Sequence, residues 1–182
     1  SSILDVNGVT VDPGINPTAP TSGFLFTYSG AAVAYSVRQL NNNADQIMRV
    51  RRASDNVEAD VGFDTSLTDP AISLASPISN TSDAQSYTDF ADFVDHTGTP
   101  TDAFVRYWYD QSGNANDAGQ STAGSQPQIY DAATGLITEN GKPAVETAND
   151  SYLEIASETF GIVDAFTVAR QNNNSNFNDL LE

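Results

Sequence analysis

Between residues 46 and 63, apolar and charged positions alternate on either side of Ser54-Asp55-Asn56, reading QIMRVRR and then VEADVGF. Alternation with period two around a cluster of turn formers predicts two antiparallel strands joined by a hairpin turn. Arg49, Arg51 and Arg52 fall on the first strand and are expected to pair with Glu58, Asp60 and other carboxylates across the hairpin. Elsewhere the spacing is closer to a helix. In FLFTYSGAAVAYSVRQLNNN, Ser29 is a candidate N-cap, and Ala31, Ala34, Tyr35 and Val37 recur at helical spacing, predicting a short helix. A second short helix is predicted over SYTDFADFVDH, with Ser86 as cap, Asp89 three residues on, and Phe90, Phe93 and Val94 as the buried stripe.

Residues 64–83, rich in Ser, Thr, Asp and Pro, read as a surface loop. The later segments DAFVRYWYDQ, SQPQIYDA, GLITENGKPAVET, SYLEIAS and DAFTVARQ read as strands, with Asn140-Gly141 a strong hairpin-turn signal. Strict alternation in the first of these puts Val105, Tyr107 and Tyr109 on one face and Phe104, Arg106 and Trp108 on the other. Aromatic bulk on both faces suits a strand in the middle of a sheet. The fold class expected is therefore mainly β, with two short helices.

Residues 1–23 carry Pro13, Gly14, Pro17 and Pro20 and offer little to bury, so they are expected to form an extended arm preceding one module over residues 24–182. The sequence NFNDLLE comes four residues after the last predicted strand. A sandwich needs two covering sheets, so the module is expected to be incomplete at its C-terminal end or to close its sheet on a partner.

Charge narrows the partners. With 24 Asp+Glu against 7 Lys+Arg and a formal net charge of -17, the chain repels a phosphate backbone, which argues against nucleic acid. No apolar run approaches the roughly 20 residues that span a bilayer, which argues against membrane insertion. There is no cysteine, hence no disulfide and no thiol nucleophile. The single histidine, His96, follows the second predicted helix, where a contact with the helix C-terminus is the simpler role. Neither a G-x-S-x-G elbow nor a glycine-rich phosphate loop occurs, and among so many carboxylates no glycosidase pair stands out. No catalytic residue is assigned, and the chain reads as a non-enzyme.

One segment holds candidate chemistry: WYDQSGNAND, residues 108–117. Trp108 and Tyr109, followed by Asp110, Asn114 and Asn116, could stack on and hydrogen-bond a sugar. Asp110, Asn114 and Asp117 present oxygens of the kind Ca2+ prefers, although the spacing is not that of an EF-hand. The same Asx side chains could instead bond their own backbone and hold a turn.

The stretches YSGAAVAYSVRQL, MRVRRASDNVEADVGFD, WYDQSGNAND, QPQI and NGKPAV, in that order, resemble a concanavalin A-like (laminin G-like) β-sandwich module. That module recurs in bacteriophage tail-fibre and virion proteins and in secreted marine bacterial proteins. The YDQSGN core also resembles part of the catalytic domain of fungal alpha-L-arabinofuranosidases, whose catalytic carboxylates lie in a part this sequence does not contain. In the family YDQSGNGND is usual; Ala115 here replaces the second glycine, which implies a position with no need of positive φ. The resemblance implies a jelly-roll sandwich and a virion surface subunit, of tail fibre or decoration type. Such a subunit would assemble with other virion proteins and with itself, a trimer being favoured, and would contact a host surface glycan. No cofactor is expected, apart from the Ca2+ that the oxygen-rich loop could hold. A secreted glycan-binding or glycoside hydrolase-associated module is the alternative. Exposed rings at Trp108, Tyr107 and Tyr109 would favour the alternative, and buried ones a scaffold.

Overall fold

The computed structural model describes residues 3–4, 10–11, 25, 30–148, 150–156 and 167–170. The protein is mainly β. Of the arm expected over residues 1–23, the described part is an antiparallel pair, β1 (Ile3–Leu4) and β2 (Thr10–Val11), with Ile3 opposite Val11.

The central hairpin forms as the alternation predicts. Strand β3 (Gln46–Arg52) runs antiparallel to β4 (Glu58–Gly62), with Arg49 opposite Asp60 and Arg51 opposite Glu58. The Asp55 carboxylate organises the connection by accepting from Val57 N at 3.1 Å. Beyond β4, the long loop contributes one short strand, β5 (Ile78–Ser79), to that edge.

Helix α1 (Phe90–Val94) buries the expected Phe90, Phe93 and Val94. Its cap is Asp89, not Ser86: the Asp89 side chain accepts from Asp92 N at 2.9 Å. A carboxylate directly before the first turn satisfies an orphan N–H, whereas Ser86 lies three residues too early to reach it.

The helix expected over residues 31–37 does not form. This stretch is irregular, bent at Ala32 and Val37, and ends in an isolated bridge from Arg38 to Ala71. Its N–H and C=O groups are taken by distant partners: Ala34 N by Asp110, Ala34 O by Gln111 N, and Val37 O by Ile72 N. Tertiary hydrogen bonds here override a weak local periodicity.

Strand β6 (Ala103–Trp108) occupies the middle of the sheet, as its two-sided bulk suggested. It pairs with β3 on one side. On the other it pairs with β7 (Ala118–Gly119) near its C-terminal end and β8 (Gln128–Asp131) near its start. Strand β9 (Gly135–Leu136) extends β8, and β12 (Glu154–Ile155) extends β7. The hairpin β10 (Thr138–Glu139) and β11 (Lys142–Pro143) turns at Asn140 and Gly141, both at positive φ, as the two-residue connection requires. Residues 167–170 of the predicted strand DAFTVARQ are not in a strand; its other residues lie outside the described ones.

Register decides what each face carries. Against β3, the pairing steps from Arg49 opposite Tyr107 to Val50 opposite Val105, so Arg106 is an extra residue in β6. This bulge reverses the alternation beyond it. Trp108 therefore joins Ala103 and Val105 on the core face, opposite Met48, and is not grouped with Phe104 as strict alternation required. The core lies on that face, where Met48, Val50, Val61 and Val105 meet Ile72 and the buried residues of α1.

Candidate functional site

The loop after β6 is built around the Asp110 carboxylate. Its Oδ1 accepts from Ser112 N at 2.8 Å and Ala34 N at 2.8 Å, and its Oδ2 from Ser112 Oγ at 2.6 Å and Asn116 N at 3.2 Å. Asp117 Oδ1 closes the base of the loop by accepting from Asp110 N at 2.9 Å. The Asn114 amide donates to Ala31 O at 2.9 Å and Ala32 O at 3.0 Å, and the Asn116 amide donates to Ala32 O at 3.1 Å. Every polar residue proposed for sugar or metal contact in this loop thus bonds the loop itself or the strap formed by residues 31–41.

Gln111, which is not among the candidate site residues, is the keystone. It is buried, accepts from Leu40 N at 2.7 Å, and donates to Ser36 O and Arg38 O, each at 3.0 Å. Its carbonyl also accepts from the Asn41 amide at 3.0 Å. No local signal could have found it, because its partners lie about 70 positions earlier in the chain. Tyr35 completes the clasp, its hydroxyl donating to Asn116 O. Burial, reinforced by the carboxylates of Asp110 and Asp117, pushes the Tyr35 phenol up to about 12, so it remains a donor at neutral pH.

A second Asp-x-Ser sequence provides a local comparison. Asp64 Oδ1 accepts from Ser66 N at 3.0 Å and Ser66 Oγ at 2.6 Å, the same turn that Asp110 and Ser112 make. Its other oxygen accepts from Ser73 Oγ at 2.7 Å, only nine positions along the chain. The turn chemistry is a property of the three-residue pattern, and the long-range bonds are what distinguish the 110–117 loop.

The Ala115 position behaves differently from expectation. Ala115 has φ 59°, inside the left-handed region, so the backbone does need positive φ there. Alanine occupies it at a conformational cost that glycine would avoid.

The aromatic residues are committed to packing. Trp108 is half-buried against the core, 6.1 Å from the Tyr35 ring centroid, with its Nε1 buried and without an acceptor. The Tyr109 hydroxyl donates to Asp60 Oδ1 at 2.7 Å, and burial, then this bond to a carboxylate, raises its phenol. Tyr107 lies between the Arg106 guanidinium, 4.4 Å from its centroid, and Gly119, where a Cβ would come within 2.6 Å of the ring. Among the described residues, no three His, Cys, Asp or Glu side chains gather as metal ligands.

Opposite the core, the sheet carries Arg49, Arg51, Arg106, Phe104 and Tyr107. Arg49 is held by Glu58 at 2.7 Å and Asp60 at 2.8 Å, as the alternation predicted. Arg51 does not follow that expectation: it donates to Gln126 Oε1 at 2.7 Å and Asn56 Oδ1 at 2.9 Å and stacks 5.1 Å from the Phe104 centroid. Arg52, with odd-even parity opposite to both, points into the core. There it is gripped by Asp55 at 3.0 and 2.8 Å and donates to Phe93 O at 2.7 Å. A cleft of about 220 Å³ is lined by Arg106, Tyr107, Asp117 and Glu154 together.

Comparison of the chain with protein-family models, with curated proteins and with solved structures finds no match.

Proposed function

We propose that this chain is a structural module of a bacteriophage virion, a tail-fibre or surface-decoration subunit that assembles with copies of itself, most simply as a trimer. In this reading the large sheet, with its core on one face, is one wall of a concanavalin A-like jelly-roll sandwich. The ordered series of motifs from YSGAAVAYSVRQL to NGKPAV motivates the assignment. The observation that carries the choice of scaffold over glycan module is the commitment of WYDQSGNAND to internal bonds. Asp110, Asn114 and Asn116 hold the strap of residues 31–41, and Tyr109 is bonded to Asp60. A sugar site needs an open ring with free polar neighbours, and this segment offers neither.

The deciding experiment is the mass of the native assembly by light scattering, for the whole chain and for a version lacking residues 1–23. A trimer, with an assembly that weakens when the arm is removed, supports the virion subunit. A monomer in both cases that binds on a glycan array overturns it in favour of the secreted glycan module. A melting temperature that falls on adding a chelator would identify a calcium-stabilised adhesin instead.

A further inference from the structure

The chain contains two Asn-Gly steps: Asn7-Gly8, outside the described residues, and Asn140-Gly141, at the tip of the β10–β11 hairpin. An asparagine followed by glycine carries its own reagent. The next backbone nitrogen is within reach of the side-chain amide carbon, and no Cβ stands in the way. The fold decides which asparagines are free to react in this way. Asn56 and Asn80 also sit at positive φ, but each precedes a β-branched residue, Val57 and Thr81. Their side chains are also engaged, Asn56 Oδ1 accepting from Arg51 at 2.9 Å and the Asn80 amide donating to Asp60 at 2.6 Å. Asn114 and Asn116 are tied to the strap through their amides. Asn140 is exposed, and among the described residues its side chain has no hydrogen-bond partner. The Gly141 N–H likewise donates to no acceptor there, and a Cβ built on Gly141 would meet nothing within 4 Å beyond its chain neighbours.

The hairpin is also built to open at this end. Strands β10 and β11 pair only with each other, Thr138 opposite Pro143 and Glu139 opposite Lys142. A two-stranded ribbon this short is marginal in water, so its tip opens at lower cost than the large sheet does. Its base is held, because Ile137 N donates to Ile129 O and Ala144 N to Ile137 O, each at 2.9 Å. Opening at the tip matters for the chemistry. While the turn is closed, with φ 51° at Asn140 and 72° at Gly141, the angle between the Asn140 side chain and the Gly141 nitrogen is fixed, and it is released when the turn relaxes.

We propose that Asn140 is a site of spontaneous deamidation through a cyclic imide, whatever the assembly of the chain. The Gly141 nitrogen gives up its proton and bonds to Asn140 Cγ, the Cγ–Nδ2 bond breaks, and ammonia leaves with that proton as the succinimide ring closes. Water then adds to one of the two imide carbonyls. Opening at Cγ leaves aspartate. Opening at the Asn140 backbone carbonyl leaves isoaspartate, in which the main chain runs through the side-chain carbon. Either product places a carboxylate where a neutral amide stood, next to Glu139, whose own charge is held by Arg170 at 2.6 Å. Isoaspartate also lengthens the backbone by a methylene group, and a two-residue turn so lengthened does not keep Glu139 opposite Lys142.

The test is to incubate the whole chain at mildly alkaline pH, folded and in parallel unfolded in urea, and to follow the amide-to-acid mass gain at each asparagine by peptide mapping. In the folded chain Asn140 is expected to convert several-fold faster than Asn56, Asn80, Asn114 and Asn116. Isoaspartate among its products is read by labelling with a protein isoaspartate methyltransferase. The rate should rise with pH, because attack requires the deprotonated Gly141 nitrogen, and Asn140→Gln, whose longer side chain closes the ring poorly, should remove the signal. If Asn140 stays intact in the folded chain while it converts in urea, the closed turn protects it and the proposal fails. Conversion of Asn140 no faster than that of Asn114 and Asn116 in the folded chain would overturn it as well.

Discussion

The two faces of the central sheet use similar residue types in different ways. On the core face, Met48, Val50, Val61 and Val105 exclude water, and a charge admitted there, Arg52, is enclosed by Asp55, the Phe93 carbonyl and two aromatic rings. On the opposite face, Arg51 and Arg106 again lie on aromatic rings, but partly exposed, and the acid partners are Glu58 and Asp60 for Arg49 and, at a longer 3.7 Å, Glu58 for Arg106. A buried guanidinium must be answered by its own chain because an unpaired charge there is costly. One that water still reaches tolerates neutral partners, as Arg51 does, or a longer ion pair, as Arg106 does with Glu58.

Breaking the enclosed pair should have the largest effect. Arg52→Ala removes the charge but leaves the Phe93 carbonyl, the Tyr87 ring and a cavity without their partner, and is expected to cost about 3–5 kcal/mol in urea denaturation. On the other face, Gly119→Ala forces a methyl against the Tyr107 ring and Arg106 above it, at an expected cost of about 1–3 kcal/mol. In the loop, Ala115→Gly should act in the opposite direction. It relieves a left-handed alanine and is expected to stabilise by about 1 kcal/mol, seen as a higher denaturation midpoint with unchanged slope.

Acid tests the same contrast more gently. Asp55 is held below the usual carboxylate range by its hydrogen bonds from Arg52, and Asp83 by the hydroxyl of Tyr87. Carboxylates depressed in the folded state stabilise it above their unfolded value of about 3.9 and lose that contribution as pH falls through the lower folded value. The melting temperature should therefore be level near neutral pH and decline below about pH 4, and Arg52→Ala should flatten the part of that decline due to Asp55. A decline unchanged in Arg52→Ala would mean that other carboxylates govern acid stability.

What could be read from sequence was whatever a few neighbouring residues decide. The β3–β4 hairpin, the buried stripe of α1 and the Asn140-Gly141 turn are local matters, fixed by alternation, spacing and the φ values that Asn and Gly tolerate. The Asp110-x-Ser112 turn belongs with them, since Asp64 and Ser66 repeat it. Tertiary structure alone decided the rest. The extra residue at Arg106 moved Trp108 to the core face, because a bulge depends on how two strands register and not on the composition of either. Residues 31–37 became a strap because Gln111, Asp110 and Asn114, 75 to 83 positions away, offer their backbone better partners than a short helix could. Arg52 and Arg51, adjacent in sequence and chemically identical, separated into a core charge and a surface charge because adjacent strand residues point to opposite faces, and only packing determines which face is the interior.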